Sequence, residues 1–138
     1  MNGTAGAFSA PIKDATGRTI ANLPCYKPPW SRLIAVNGNT GDIAWQTTLG
    51  TNDALPEGKR NSGGAGSAGP MATAGGLVFV GAASDNRFRA FDSKTGKELW
   101  AGQLERMANA VPMTYQGKNG KQYVAMTASD TVVVFGLD

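Results

Sequence analysis

Few residues in this chain could do chemistry, and they are scattered. Asp53 and Glu57 stand four apart on a polar stretch, a spacing that could serve acid–base work, but no partner base accompanies them. Lys59, Arg60 and Asn61 follow at once. This basic pair and amide could meet an anionic cofactor or a substrate hydroxyl, or could simply face water on a loop. Asn109 opens a further strand and could offer one polar contact. Cys25 is the single cysteine, so no internal disulfide forms, and a half-buried apolar role suits it as well as a reactive one. Histidine is absent, which removes the commonest general base and metal ligand and argues against a self-contained hydrolase or zinc site. No catalytic residue and no metal ligand is therefore assigned in this chain.

The elements that would position such residues follow from a repeat. Ala35-Val-Asn37-Gly-Asn-Thr40-Gly41-Asp-Ile-Ala-Trp45 recurs 55 residues later as Ala90-Phe-Asp92-Ser-Lys-Thr95-Gly96-Lys-Glu-Leu-Trp100. Each copy reads as a strand, a tight Asn/Asp-x-x-Thr-Gly turn and a returning strand that carries the Trp. Asn37 and Asp92 are then turn formers that cap local amides, and Trp45 and Trp100 are apolar plates for a neighbouring unit. A period of this length signals a repeat architecture whose units bury their faces on one another.

The rest of the chain fits this scheme. Residues 1–31 form an irregular lead-in with a turn at Asp14-Ala-Thr-Gly17, an extended polyproline Pro28-Pro29, and Trp30 as an anchor. Residues 32–48 make half a blade, and 49–68 a loop long enough to be functional or disordered. Residues 69–103 make one complete four-stranded blade: Pro70–Ala74, Leu77–Ala83, Phe88–Asp92 and Glu98–Gln103. Residues 111–138 supply three strands of a last blade, in which Ala128-Ser129-Asp130 repeats Ala83-Ser84-Asp85. With 19 Gly and 7 Pro among 138 residues and no long helical periodicity, the expected class is all-β, an incomplete propeller in a single segment. The net charge of +3 is spread singly, which argues against a nucleic-acid stripe. No run reaches transmembrane length, and the N-terminus lacks a secretion signal.

The repeated Ala-x-Asp-x-x-Thr-Gly-Lys-x-x-Trp resembles the tryptophan-docking motif of the quinoprotein dehydrogenases. Cys25-Tyr-Lys-Pro28-Pro29-Trp30, Leu55-Pro-Glu-Gly-Lys-Arg-Asn61, Gly69-Pro-Met-Ala-Thr-Ala-Gly-Gly-Leu-Val-Phe79 and Asn109-Ala-Val-Pro-Met-Thr-Tyr115 resemble the C-terminal part of the membrane-type glucose dehydrogenase branch. The resemblance covers the chain from about Ser9 onward. It implies about two blades of an eight-bladed propeller that carries pyrroloquinoline quinone with calcium and oxidises a sugar or alcohol, with a periplasmic setting. It also implies that the catalytic carboxylate, the cofactor-binding His and Lys and the calcium ligands lie outside this chain, so that the chain is expected to be inactive alone and not to hold the quinone by itself. Expected partners are the remaining blades or another copy of the chain. From the same resemblance, Ser67, Ala68 and Gly69 are expected beside the cofactor, where methanol-type relatives have a Trp. Crowding of inner strands at the propeller axis would call for the same small residues. Two rival readings remain open: a non-enzymatic propeller scaffold and a self-associating interaction module.

Overall fold

The computed structural model describes residues 8–64, 66, 68–82 and 85–136, and every regular element in them is a β-strand. Strands β1 (Ser9–Lys13) and β2 (Thr19–Pro24) form one antiparallel pair, and β3 (Arg32–Val36) and β4 (Ile43–Thr48) form another. Strands β5 (Met71–Ala72), β6 (Leu77–Ala82), β7 (Arg87–Asp92) and β8 (Glu98–Gln103) make a four-stranded meander. Strands β9 (Met113–Gln116), β10 (Gln122–Ala128) and β11 (Thr131–Gly136) make a three-stranded one. The all-β, partial-propeller expectation therefore stands. The lead-in is corrected: residues 9–24 are a hairpin rather than irregular. Its outer positions are mostly solvent-exposed, so its sequence lacks the apolar alternation that marks a strand.

The turns form for the reason the sequence indicates. The Asp92 carboxylate accepts hydrogen bonds from the amides of Lys94 (3.0 Å) and Thr95 (2.8 Å) and from the Thr95 hydroxyl (2.8 Å). Asn37 accepts from the amide of Asn39 at 2.9 Å, and Asp14 from those of Thr16 and Arg18. Both repeats shift register at the same place, between Ala35 and Val36 and between Ala90 and Phe91.

The four-stranded blade is covered on both faces. Val80 and Phe91 pack with Leu33 toward β3–β4, joined by Trp45, Leu49 and Val78. The opposite face carries Phe79, Phe88 and Ala90, which pack with Val124, Met126 and Ala128 of the three-stranded sheet. Alternation along β6 and β7 sends neighbouring side chains to the two cores. Trp45 joins the first pair to the blade, its indole N–H donating to the Ser93 carbonyl at 2.9 Å. Trp100 packs edge-on against Phe88 and Phe135, remains 41% exposed, and borders an apolar groove of about 340 Å³ with Leu77 and Leu99.

The Trp45 contact yields a paired prediction. Gly41 and Gly96 hold the same left-handed turn position, at φ 80° and 71°. A Cβ on Gly41 would meet nothing within 4 Å, whereas one on Gly96 would lie 2.4 Å from Trp45 Cε3. Gly41→Ala should cost about 1–2 kcal/mol for the backbone alone, and Gly96→Ala about 1–3 kcal/mol more for the clash. Urea midpoints test this, and equal shifts would rule out the Trp45–Gly96 contact.

Candidate functional site

In these antiparallel meanders, the β4–β5 connection, the β6–β7 turn, the β8–β9 connection and the β10–β11 turn come together at one end. Gly69 on the first lies against Val111 on the third, since a Cβ on Gly69 would come 2.9 Å from Val111 Cγ2. The carboxamide oxygen of Asn109 accepts from the Ser129 amide at 3.3 Å, and Ala108 bridges to Ala128. This end collects most of the residues singled out above, and its geometry is fixed by a long loop and a buried ion pair.

Of the 49–68 stretch, expected as a functional or disordered loop, residues 49–64 close on themselves. The amides of Gly63 and Gly64 donate to the carbonyls of Gly50 and Leu49, both at 3.1 Å, and the Trp30 amide donates to the Ser62 carbonyl at 2.8 Å. A Cβ on Gly63 would lie 2.5 Å from the Ser31 nitrogen, so only glycine lets the two backbones approach this closely. Trp30 also donates its indole N–H to the Tyr26 carbonyl at 2.9 Å, consistent with an anchoring role. The Pro28–Pro29 bond is cis and the segment bends repeatedly, in place of an extended polyproline run. Lys59, Arg60 and Asn61 are exposed on the loop, and Arg60 Nε donates to the Leu55 carbonyl at 3.1 Å.

Beneath the loop lies a polar cluster that the sequence reading missed. The Asp85 side chain is 1% exposed and that of Arg89 is 2% exposed. Arg89 Nη1 donates to Asp85 Oδ1 at 3.1 Å, its Nη2 pairs with Oδ2, and its Nε donates to Glu98 Oε2 at 3.0 Å. Asp85 Oδ2 also accepts from the Thr51 amide (2.8 Å) and hydroxyl (3.1 Å), while Arg87 bonds the Thr51 hydroxyl and donates to Asp53 at 3.0 Å. Asp53 therefore does have a cationic partner, although not a catalytic base. Glu57 stays exposed. No buried side-chain polar atom is left unpaired among the described residues. One signal could have revealed the cluster: Arg89 sits mid-strand between Phe88 and Ala90, where a charge buried with its neighbours needs a carboxylate.

Burial alone would push the Asp85 carboxyl up. The Arg89 hydrogen bond and the Thr51 amide outweigh it and hold the group below the ordinary carboxylate range. A lowered folded-state value means that this stabilisation is fully present above the unfolded pKa of about 3.9 and is lost as pH falls through the folded value. Stability should thus hold from neutral pH to about 4 and fall below it. An acid titration followed by circular dichroism tests the window, and in Asp85→Asn the acid loss should shrink.

The residues expected beside a cofactor are only partly described. Ser67 lies outside the described residues; Ala68 and Gly69 are half-buried, and Gly69 lies against the exposed Val111. They present backbone and small side chains, which suits contact with a flat ring and offers nothing to anchor carboxylates. No group of three or more His, Cys, Asp or Glu could hold a metal ion among the described residues, so the donor set does not fit a calcium site. Cys25 is exposed rather than half-buried. No helix among the described residues is long and apolar enough to cross a membrane.

Comparison with known proteins agrees with this geometry. Residues 4–124 match the family described as glucose/ethanol/alcohol dehydrogenase, beta-propeller domain, of the PQQ group. The chain is 44% identical over 113 residues to the quinate/shikimate dehydrogenase (quinone) of Acinetobacter baylyi, covering 77% of this chain and 14% of that protein. To the quinoprotein glucose dehydrogenase of Escherichia coli it is 38% identical over 112 residues, again covering 77% and 14%. A europium-containing methanol dehydrogenase superposes with a TM-score of 0.52 at 34% identity, over 69% of this chain and 14% of that one. The quinohemoprotein alcohol dehydrogenase of Comamonas testosteroni superposes with a TM-score of 0.52 at 28% identity, over 87% and 17%. The fold and these likenesses define a quinoprotein-type β-propeller. The chain belongs to the PQQ-dependent dehydrogenase β-propeller family and spans about one-seventh of the length of the relatives it matches.

Proposed function

We propose that this chain serves as a propeller segment of a PQQ-dependent sugar or alcohol dehydrogenase in the periplasm and does not turn over substrate alone. The observation that carries the reading is the 44% identity to a quinone-dependent dehydrogenase along a segment that has no histidine and, among the described residues, no group of three or more metal-ligating side chains. When bound, the quinone supplies the two-electron chemistry, while the protein positions it and excludes competing reactions. Gly69, which lies against Val111, and Ala68 beside it in sequence form part of the surface facing the quinone ring, to which the family resemblance also assigns Ser67. Lys59 and Arg60 overhang this end as positive charge for an anionic ligand. Trp45 acts as a tryptophan-docking residue between blades, and Trp100 offers the same plate to whatever covers its groove. The partners are further blades of the same ring, and the calcium ion and catalytic carboxylate are supplied by them.

An assay of the 138-residue chain with pyrroloquinoline quinone, calcium, glucose and an electron-accepting dye tests this. Dye reduction should match a no-protein control. Turnover above that control would overturn the reading that the catalytic groups lie elsewhere.

A further inference from the structure

The Asp85–Arg89 pair accounts for its own burial, but it does not explain why the carboxylate also takes up two hydrogen bonds from a residue 34 positions earlier. That residue, Thr51, is the first beyond the Gly50–Gly63 closure, so it is where the 51–62 loop leaves the blades. Arg87, two residues beyond Asp85 at the start of β7, repeats the tie through the Thr51 hydroxyl and Asp53 Oδ2. The far root is tied by the Trp30 amide to the Ser62 carbonyl at 2.8 Å, and between the two roots the loop carries its own bonds, Asn52 N–H to the Arg60 carbonyl at 2.8 Å and Lys59 N–H to the Pro56 carbonyl at 3.0 Å. The repeated Ala-Ser-Asp shows the contrast. Asp130 has the same local sequence, yet it is exposed, pairs with exposed Arg106 at 3.4 Å and accepts from the hydroxyl of its neighbour Thr131 at 3.2 Å. Burial and loop contact belong to Asp85 alone of the two.

We propose that Asp85 is a positioning residue: charged and oriented by Arg89, it latches Thr51 and so holds the 51–62 loop, with Lys59 and Arg60, over the end of the blades where the cofactor is expected. The placement over a cofactor rests on the function proposed above, but the latch itself does not, and it is tested without any quinone. A charge-assisted acceptor that binds both the amide and the hydroxyl of one residue is suited to this task. It fixes the loop's root in position while the tip keeps its freedom. A cavity of about 510 Å³ lies beside the root, lined by Asn22, Asn52, Asp53, Asn86 and Gln103, so there is space for the loop to swing when the latch is released.

Trypsin cutting at Lys59 and Arg60 reads the latch directly, with cleavage products assigned by mass spectrometry. In Asp85→Asn, cleavage there should quicken about tenfold or more relative to cleavage elsewhere, the loss expected for hydrogen bonds to a charged group. Should Asp85→Asn fail to fold, the double variant Thr51→Val/Arg87→Met leaves the Asp85–Arg89 pair intact. It should quicken cleavage several-fold, about threefold or more, with a loss of global stability no larger than that fold-change, about 0.7 kcal/mol. Thr51→Ser, which keeps both donors, should behave as wild type. Unchanged loop cleavage in the double variant, or amide exchange in β6 and β7 rising as much as in the loop, would overturn the latch and leave Asp85 a purely structural partner of Arg89.

Discussion

Arg89→Leu is expected to destabilise the chain by about 3–5 kcal/mol, the loss that follows when one partner of a buried pair is removed and the other stays charged. Both side chains are at most 2% exposed, so solvent cannot screen the stranded Asp85 carboxylate. Its alternatives are the Thr51 donors, the Arg87 amide at 3.1 Å and the Arg87 guanidinium, whose nearest nitrogen lies 3.6 Å away. The expected result is a large drop in the urea midpoint, or loss of the folded state altogether. The double variant Asp85→Leu/Arg89→Leu separates charge burial from packing. It should be more stable than Arg89→Leu alone, because no buried charge remains unpaired. A double variant no more stable than the single one would mean that Arg89 matters through its packing.

Phe88→Ala carries a comparable effect by a different route. Phe88 is 0% exposed and stacks on Phe79 at 5.7 Å and on Phe135 of the neighbouring sheet at 5.5 Å, with Trp100 edge-on. Truncation removes the ring that joins the two sheets and leaves a cavity at their interface, a loss of about 3–5 kcal/mol. Because Phe135 then loses its partner, near-ultraviolet circular dichroism should weaken together with the unfolding midpoint. A shift below about 1 kcal/mol would show that the sheets do not share this core.

These two residues mark the boundary of what the sequence reveals. The turns were legible because their chemistry is local: Asp92 bonds residues two and three positions on, and Gly96 must adopt a left-handed backbone. The same local logic placed β8 at Glu98–Gln103 and the other blade strands within a few residues. Where a strand has no apolar face to alternate, as in β1 and β2, the signal vanished and only the Asp14 turn showed. The Asp85 cluster was hidden for another reason. Its partners come from positions 51, 53, 87, 89 and 98, so no local pattern joins them, and Asp85 reads as one more turn residue. The Trp45 plate was anticipated in kind, though its acceptor, the Ser93 carbonyl, is a matter of three-dimensional register.

The central claim is that this chain performs the work of the matching segment in a quinone-dependent dehydrogenase. The most direct test is a chimera in which it replaces the matching 14% of the Escherichia coli quinoprotein glucose dehydrogenase, assayed for dye-linked glucose oxidation with pyrroloquinoline quinone and calcium. The account predicts a folded chimera that binds the quinone and oxidises glucose, and that loses activity with Arg89→Leu. A chimera that folds and closes its ring but neither binds the quinone nor turns over would contradict the account and favour a non-enzymatic propeller scaffold.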